Sequence, residues 1–464
     1  MKKLIALLLA VVMVLGMVAC AAKTEAPKAE EAPKTEAPKA EEKKEEAPKA
    51  EEKPAEEAPK AEEKKEEVTL EVYLAQVDWA DAWDELEARF EEQHPWIQIE
   101  HVGLGADGDF LSQRLAANDL PAAIQLNNNE VMQAMLEQDL LIDLKDWDCA
   151  KLMSPTYADA YTFDGKLVGM CQGAAYSCMF YNMDILAQAG WDKVPANWDE
   201  LLQCCKDIKE KTGVAPLTTA AGKTTTSWMI FELILANVMD EAERATYVDD
   251  FKNGTFDFGK HPEVAERLDA IAPYFLEGSA SAQEEDVATY MADGLAAMCI
   301  AGNWNNGMIL PAIAEACGGD ETKAMASLPP YNDAGKQVVI SNSPEDAFCL
   351  TKDPNRTEAE SEALKDFFDW LFEAENYQLI QNARGSTPVI SNMTADYIVL
   401  APVMVPVVAD VAAAPAILMG FNMWSAEFKD AANVKLQGVL TGDNTAADAI
   451  ATMNATVKEF PKNK

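Results

Sequence analysis

From residue 68 onward, short segments of alternating apolar and polar residues are separated by longer amphipathic segments. Residues 68–74 alternate with a period of two, which predicts a strand. Residues 80–93 place large apolar side chains at three- and four-residue spacing, which predicts a helix. Two further pairs follow, with strands predicted at 96–102 and 123–126 and helices at 109–117 and 130–138. This order predicts an α/β domain with a largely parallel sheet.

A second α/β region begins near residue 174. The spacing of Asn197 and Glu200 fits a capping box at the start of a helix that runs to Lys211. The tail from 423 to 460 has a mainly helical pattern, and we expect breaks at Gly438 and at 441–443. The other predicted elements are strands at 176–182, 295–300 and 338–350, the last interrupted by Pro344, and helices at 183–188 and 362–382.

The chain starts with a different pattern. Lys2 and Lys3 precede an uninterrupted uncharged run that ends at Cys20, as in a secretory signal. The segment 15–20, Leu-Gly-Met-Val-Ala-Cys, resembles the lipobox of bacterial lipoproteins, in which the cysteine is lipidated and becomes the new N-terminus. An uncleaved membrane anchor is the alternative, although the run is slightly short of the roughly 20 residues that span a bilayer. Either interpretation predicts an extracytoplasmic, membrane-tethered protein.

Residues 21–67 repeat Ala-Pro-Lys-(Ala/Thr)-Glu and contain Glu-Glu-Lys-Lys runs. They carry no aromatic residue and no aliphatic side chain larger than alanine, so they cannot bury apolar surface. The composition predicts a disordered or partly extended spacer between the membrane and the body that starts at residue 68.

Net charge and cysteine placement exclude some classes of function. The net charge of −40 opposes binding to nucleic acid and to anionic lipid, and it suits a neutral or cationic ligand or serves solubility alone. The eight cysteines after Cys20 lie mostly in apolar runs, which predicts buried thiols and few or no disulfides. The three histidines are scattered, and no Cys/His spacing is typical of zinc. We therefore predict neither a metal nor a cofactor.

Several short motifs resemble one family when their order and spacing are taken together. They are Tyr-Asn-Met-Asp-Ile-Leu at 181–186, Trp-Asp-Glu-Leu at 198–201, Gly-Leu-Ala-Ala-Met-Cys-Ile-Ala-Gly-Asn-Trp at 294–304, and Arg-Gly-Ser-Thr-Pro-Val at 384–389. In this order they resemble the extracellular solute-binding proteins of sugar-importing ABC transporters, the class that contains maltodextrin-binding protein. The resemblance extends over essentially all of 68–464.

The resemblance implies a two-lobed, periplasmic-binding-protein-like α/β fold with hinge crossings and a ligand cleft between the lobes. It implies crossings near 173–176, 337–343 and 388–392. The N-terminal lobe would then comprise 68–174 and 340–389, and the C-terminal lobe 175–339 and 390–464. It further implies a monomer that delivers a carbohydrate, in our interpretation an oligosaccharide, to membrane permease subunits.

A sugar site needs flat aromatic platforms for ring faces and polar groups for hydroxyls. Trp304 has polar, glycine-flanked neighbours, and Trp424 lies where the family places a stacking aromatic. Other candidates follow predicted strands, where open α/β sheets bind ligands, or lie near the implied crossings. The remaining candidates are Trp79, Asn127, Asn128, Glu130, Tyr176, Trp228, Asn303, Asp346 and Arg384. Core packing for Trp228, helix capping for the asparagine run and surface ion pairing for Asp346 and Arg384 are the structural alternatives.

Two other classes of function remain open on sequence alone. A surface-tethered carbohydrate-active enzyme would need only two carboxylates at a glycosidic bond, and an acidic chain always contains such pairs. No nucleophile elbow, zinc motif or phosphate-binding loop accompanies them. An adhesin or structural lipoprotein would bind no small molecule. Within the binding class, a polyol, an amino sugar or another small solute is also open.

Overall fold

The computed structural model describes residues 65–74, 80–103, 109–127, 130–223, 227–384, 386–394, 396–397, 400–417 and 426–459. The predicted signal, Cys20 and the spacer up to residue 64 lie outside these ranges, and so do Trp79, Asn128 and Trp424. Within the described ranges, no helix combines the length and the apolar character that crossing a membrane requires.

The first sheet confirms the predicted β-α alternation. Its strands are β1 (Val68–Tyr73), β2 (Ile97–Val102), β3 (Ala123–Leu126), β6 (Met170–Cys171) and β12 (Ala347–Leu350), in the order β2-β1-β3-β12-β6. The strands β1, β2 and β3 are parallel, whereas β12 returns from much later in the chain and pairs antiparallel with β3 and β6. A small hairpin, β4 (Thr162–Phe163) with β5 (Lys166–Leu167), lies between β3 and β6 in the chain and forms a separate two-stranded sheet.

The second sheet is organised around β7. Its strands are β7 (Ala174–Asn182), β8 (Ala215–Thr219), β9 (Ala296–Gly302), β10 (Ala324–Ser327), β11 (Ile340–Pro344) and β13 (Ala416–Ile417), in the order β13-β11-β7-β9-β8 with β10 also on β7. Every residue of β7 is buried because both faces of the sheet are covered. Tyr176, Cys178 and Phe180 face one apolar cluster, and Met179 and Tyr181 face another.

Helices cover the sheets. They are α1 (Ala80–Gln93), α2 (Asp109–Ala117), α3 (Glu130–Glu137), α4 (Pro155–Ala160), α5 (Met183–Gln188), α6 (Trp198–Thr212), α7 (Leu233–Val238), α8 (Glu241–Lys252), α9 (Pro262–Ile271), α10 (Glu284–Ala292), α11 (Asn306–Ala316), α12 (Glu358–Leu371), α13 (Ala374–Arg384), α14 (Met404–Ala413), α15 (Ala426–Thr441) and α16 (Ala446–Val457).

The first sheet and the helices on it form one core. Trp83, Leu86 and Phe90 are at most 1% exposed, as their helical spacing predicts. The Trp83 ring stacks on Phe348 of β12, with a centroid separation of 5.7 Å. Strand β12 therefore belongs to this core although more than 200 residues separate it from β3.

Two predictions about helix continuity were wrong. The single helix expected at 362–382 is α12 and α13, because α12 ends at Leu371 and the backbone of the next residue, Phe372, is not helical. Gly438 does not break the tail, because α15 continues through it to Thr441. The break at Thr441-Gly442-Asp443 is confirmed, and Gly442 there has a φ of +81° that favours glycine.

The chain passes between the two sheets at Gln172–Gly173 and at Glu345–Asp346. It changes sheet once more between Met393, which lies in the core of the first sheet, and Met404, which packs on the second. The predicted N-terminal lobe includes 340–344, but these residues form β11, which pairs with β7 in the second sheet. Pro344 thus ends one strand instead of interrupting a single one, and β11 and β12 belong to different sheets.

The eight cysteines of the described body are free thiols, and all except Cys317 are buried. Burial raises the pKa of the Cys204 thiol to about 12, so this group stays protonated at neutral pH. The thiols therefore pack as small apolar side chains, in agreement with their apolar sequence neighbours.

Asn197 is the N-cap of α6, because its Oδ1 accepts a hydrogen bond of 3.1 Å from the Glu200 backbone N–H. The capping box is only half formed, since Glu200 Oε2 accepts from the Ala196 N–H, at 3.1 Å, instead of from that of Asn197. We expect Asn197→Ala to lower the free energy of unfolding by about 1 kcal/mol, since it leaves a helical N–H without its partner. Asn197→Asp keeps the acceptor and should be close to neutral. Urea unfolding of both variants checks this, and equal losses would contradict the capping role.

Candidate functional site

Trp304 lies at the carboxyl end of β9, in a 3₁₀ turn formed by Asn303–Asn305. Its ring folds back over Gly302, where an added Cβ would lie 2.3 Å from the indole carbons. Glycine is required at this position because any side chain would push the ring away. Trp304 is half-buried, so part of this residue remains accessible to solvent.

Trp228 lies against this ring. The two ring centroids are 5.8 Å apart and the planes are inclined by 37°. Trp228 belongs to a π-helical turn, Ser227–Glu232, and is only 3% exposed. Of these two neighbouring tryptophans, Trp228 therefore supports the other from the core, and Trp304 is the more accessible residue.

A charged pair borders the Trp304 ring. The indole Nε1 donates a hydrogen bond of 3.1 Å to Glu284 Oε1, and Lys223 Nζ lies 3.1 Å from Glu284 Oε2. The Lys223 side chain is 43% exposed and that of Glu284 20%. An aromatic ring beside a carboxylate and an ammonium offers a flat face together with an acceptor and a donor for hydroxyl groups.

Sequence reasoning missed Glu284 and Lys223. The two residues are more than 60 positions apart in the chain. Nothing in their local sequence distinguishes them from the many other surface charges. Only the packing of α10 beside β9 brings them to Trp304.

The Trp304 turn lies where the two cores meet. Helix α11 begins directly after the turn, and a Cβ added at Gly307 would lie 3.8 Å from the backbone oxygen of Ala383. Ala383 belongs to α13, which packs on the core of the first sheet. The turn on the second sheet thus faces an element of the first.

Asn303 and Tyr176 lie in the interior. Both are fully buried, and Asn303 Oδ1 accepts a hydrogen bond of 2.9 Å from the Tyr176 backbone N–H. Burial raises the pKa of the Tyr176 phenol, which therefore stays neutral. The Asn303 amide is used to attach the Trp304 turn to β7, so its role in this structure is to position the neighbouring indole.

A buried polar network joins the segments at the crossings. Gln172 N donates to Asp346 O at 3.0 Å, Glu345 N to Gly173 O at 2.9 Å, and Ser386 Oγ to Glu345 Oε1 at 2.7 Å. Glu345 is 4% exposed, and an added Cβ at Gly173 would lie 2.7 Å from Ser386 Cβ. The sequence singled out the neighbouring Asp346, which is half-buried, but not Glu345.

The remaining candidates belong to the first sheet and its helices. The antiparallel register of β3 with β12 pairs Leu126 with Ala347, which brings half-buried Asn127 beside Asp346. Glu130 is the first residue of α3 and Arg384 the last of α13. The candidates thus form two groups, Trp304 with Trp228 on the second sheet and Asn127 with Asp346 at the crossings.

Two cavities differ in size and place. The one beside Glu284, lined also by Thr219, Met229 and Asn305, has a water-accessible volume of about 10 Å³, room for about one water molecule. It is too small for a sugar ring, so a ligand at Trp304 has to use the surface side of the indole.

The larger cavity, about 460 Å³, lies between α3 and the β4–β5 hairpin and includes none of the predicted ligand-binding residues. On its rim, Lys166 and Lys352 hold the pKa of Asp139 at about 2. Because Asp139 is exposed, this shift carries little stabilisation.

Comparison with known structures places the fold. The chain is similar to the solute-binding protein RafE in complex with raffinose, with a TM-score of 0.69 at 20% identity over 85% of this chain and 99% of that one. It is similar to a chitin oligosaccharide binding protein, with a TM-score of 0.68 at 18% identity over 85% and 99%. A sugar transporter protein from Bacillus licheniformis in complex with stachyose gives 0.65 at 18% over 84% and 100%. The fold is therefore the two-lobed α/β fold of periplasmic binding proteins.

Sequence comparison adds a family. An uncharacterized ABC transporter extracellular-binding protein from Pyrococcus horikoshii is 27% identical over 142 residues, which are 30% of this chain. The match spans only about a third, 34%, of that relative's length. The model of the bacterial extracellular solute-binding protein family matches residues 85–415, which is most of the chain. The protein belongs to the bacterial extracellular solute-binding protein family.

Proposed function

We propose that this protein captures a carbohydrate, in the first instance an oligosaccharide, between its two lobes and delivers it to the permease of an ABC importer. One observation carries the proposal: a half-buried indole, Trp304, lies beside the Glu284–Lys223 pair where the two cores meet. The names of the structural relatives, which mention raffinose, stachyose and chitin oligosaccharide, support the same ligand class.

In this proposal, each lobe is built on one of the two sheets. The first comprises 68–173 and 345–393, and the second comprises 174–344 and the chain from 404 onward. The hydrogen bonds among Gly173, Glu345 and Ser386 would form the hinge about which the lobes close. Trp304 and the Asn127–Asp346 pair, which lie on different lobes, would then contact the ligand from opposite sides.

The anchor is part of the same proposal. Lipidation at Cys20 would hold the receptor beside its permease and raise their effective concentration. A diacylated Cys20 at the N-terminus, detected by mass spectrometry of the membrane fraction, is the expected result. The Cys20→Ala variant should correspondingly be released into the medium. An intact signal segment in the mature protein would instead favour the uncleaved anchor.

A thermal-shift screen tests the ligand class. We expect an oligosaccharide to stabilise the purified protein and amino acids and polyamines to leave it unchanged. A ligand at 100 times its Kd adds about 2.7 kcal/mol to the free energy of unfolding. A clear shift from another solute class, with none from any carbohydrate, would reject the sugar assignment.

The same samples separate a receptor from an enzyme. A receptor returns its ligand intact, so chromatography of the bound oligosaccharide after prolonged incubation should recover only the starting compound. Stoichiometric or greater release of shorter sugars would instead support the surface-tethered carbohydrate-active enzyme, in which two carboxylates act on the glycosidic bond.

A further inference from the structure

Three side chains with metal-binding atoms converge on the first lobe, away from Trp304. Asp84 and Glu87 belong to α1 and His101 to β2, and their candidate ligand atoms all lie within 4.8 Å of one another. Among the described residues, no other group of at least three histidine, cysteine or carboxylate side chains meets this condition.

The local structure explains the convergence. Asp84 and Glu87 are three residues apart on α1, so they share one face of the helix. Strand β2 turns Ile97, Ile99 and His101 toward that helix at every second position, and the first two are buried. His101 takes the last inward position, at the rim of the core, where its ring reaches the helix instead of apolar side chains.

Two contacts already orient this group. His101 Nδ1 lies 2.9 Å from Glu87 Oε1, and Trp83 Nε1 donates a hydrogen bond of 2.6 Å to the same oxygen. The side chain of Glu87 is 17% exposed and that of His101 30%. A buried donor that fixes a ligand carboxylate is the kind of outer contact that accompanies protein metal sites.

The donor set decides which ion suits the group. Imidazole nitrogen and carboxylate oxygen are both zinc ligands, and an open four-coordinate Zn²⁺ site has three protein ligands with water in the fourth position. Calcium needs six to eight oxygen ligands and magnesium prefers oxygen ligands and retained water, so the imidazole disfavours both. Ligand atoms around tetrahedral zinc are about 3.3 Å apart, so exposed Asp84 needs only a small rotation to complete the set.

We propose that Asp84, Glu87 and His101 form a Zn²⁺-binding site on the first lobe. The ion relieves the repulsion between two carboxylates one helical turn apart, and it links α1 to β2 at the end of the strand. The site is independent of the carbohydrate proposal because it shares no residue with the Trp304 group.

Titration of Zn²⁺ into the metal-free purified protein tests the site. We expect one equivalent to bind and His101→Gln to weaken binding at least about 100-fold, since loss even of an outer contact typically costs 10–100-fold. His261→Gln is the matched control, because His261 also lies near a carboxylate, 3.5 Å from Glu243, but belongs to no group of three such ligands among the described residues. The control should keep the wild-type affinity.

Asp84→Asn distinguishes a three-ligand site from the His101–Glu87 pair. Asp84 is exposed, so this variant should fold normally while it binds Zn²⁺ more than 10-fold more weakly. Co²⁺ in place of zinc should give tetrahedral d–d bands without a thiolate charge-transfer band, which excludes the cysteines as ligands. Unchanged affinity in His101→Gln or in Asp84→Asn, or a thiolate band, would overturn the proposal.

Discussion

Replacing Trp304 with alanine is expected to weaken carbohydrate binding about 30-fold, the loss that corresponds to about 2 kcal/mol of binding free energy. The substitution removes the aromatic face and leaves Glu284 without its indole donor. Isothermal titration with the best oligosaccharide from the thermal-shift screen measures the effect. Trp304→Phe keeps a ring on Gly302 and should recover most of the affinity.

The chain offers a matched control for the loss of an indole. Trp191 is also half-buried, packs against the same apolar cluster and donates through Nε1 to a carboxylate, Asp207, at 3.0 Å. Trp191→Ala should therefore destabilise the second lobe about as much as Trp304→Ala does, but leave affinity unchanged. Equal affinity losses in the two variants would mean that Trp304 contributes only to packing.

The α/β alternation and most element positions were predictable because they depend on local periodicity. Helix α1 matches its predicted bounds, since the spacing of its apolar residues and Pro95 act within one segment. The break between α12 and α13 was not predictable in the same way. Phe372 packs fully into the core, and this burial, which depends on the whole lobe, decides where the backbone leaves the helix.

The candidate site was only partly predictable for a related reason. Trp304 was identified because its glycine- and asparagine-rich neighbours are unusual for a core tryptophan. The partners that complete the site come from distant elements, Lys223 after β8 and Glu284 at the start of α10. The group of Asp84, Glu87 and His101 was not predictable for the same reason. A helix and a strand contribute these residues separately, so their spacing resembles no linear zinc motif.

The structure places one predicted ligand contact, Asn303, in the interior. Asn303 was a candidate because of its position beside Trp304, and an asparagine amide suits sugar hydroxyls. Its Oδ1 instead accepts the Tyr176 N–H, and its Nδ2 lies 3.5 Å from Ala174 O. The Tyr176 N–H and the Ala174 carbonyl both belong to the first residues of β7, directly after the crossing at Gln172–Gly173. Asn303 thus connects the hinge side of the second sheet to the turn that holds the indole.

Asn303→Ala is therefore expected to lower both stability and affinity. It leaves the buried Tyr176 N–H without an acceptor, which costs about 1–3 kcal/mol, and it frees the turn that positions Trp304. We expect about 2 kcal/mol less free energy of unfolding in urea and about a 10-fold weaker oligosaccharide affinity at a temperature where the variant is fully folded.

Asn237→Ala isolates the second effect. Asn237 is also a buried asparagine of the second lobe, and it bridges segments by accepting from Val339 N at 2.9 Å and donating to Val339 O at 2.8 Å. Its loss should destabilise the lobe by a similar amount without changing affinity, because its side-chain hydrogen bonds go to Leu233 and Val339. If Asn303→Ala binds as tightly as Asn237→Ala, the turn does not need its attachment to β7 to hold the indole, and the proposed positioning role fails.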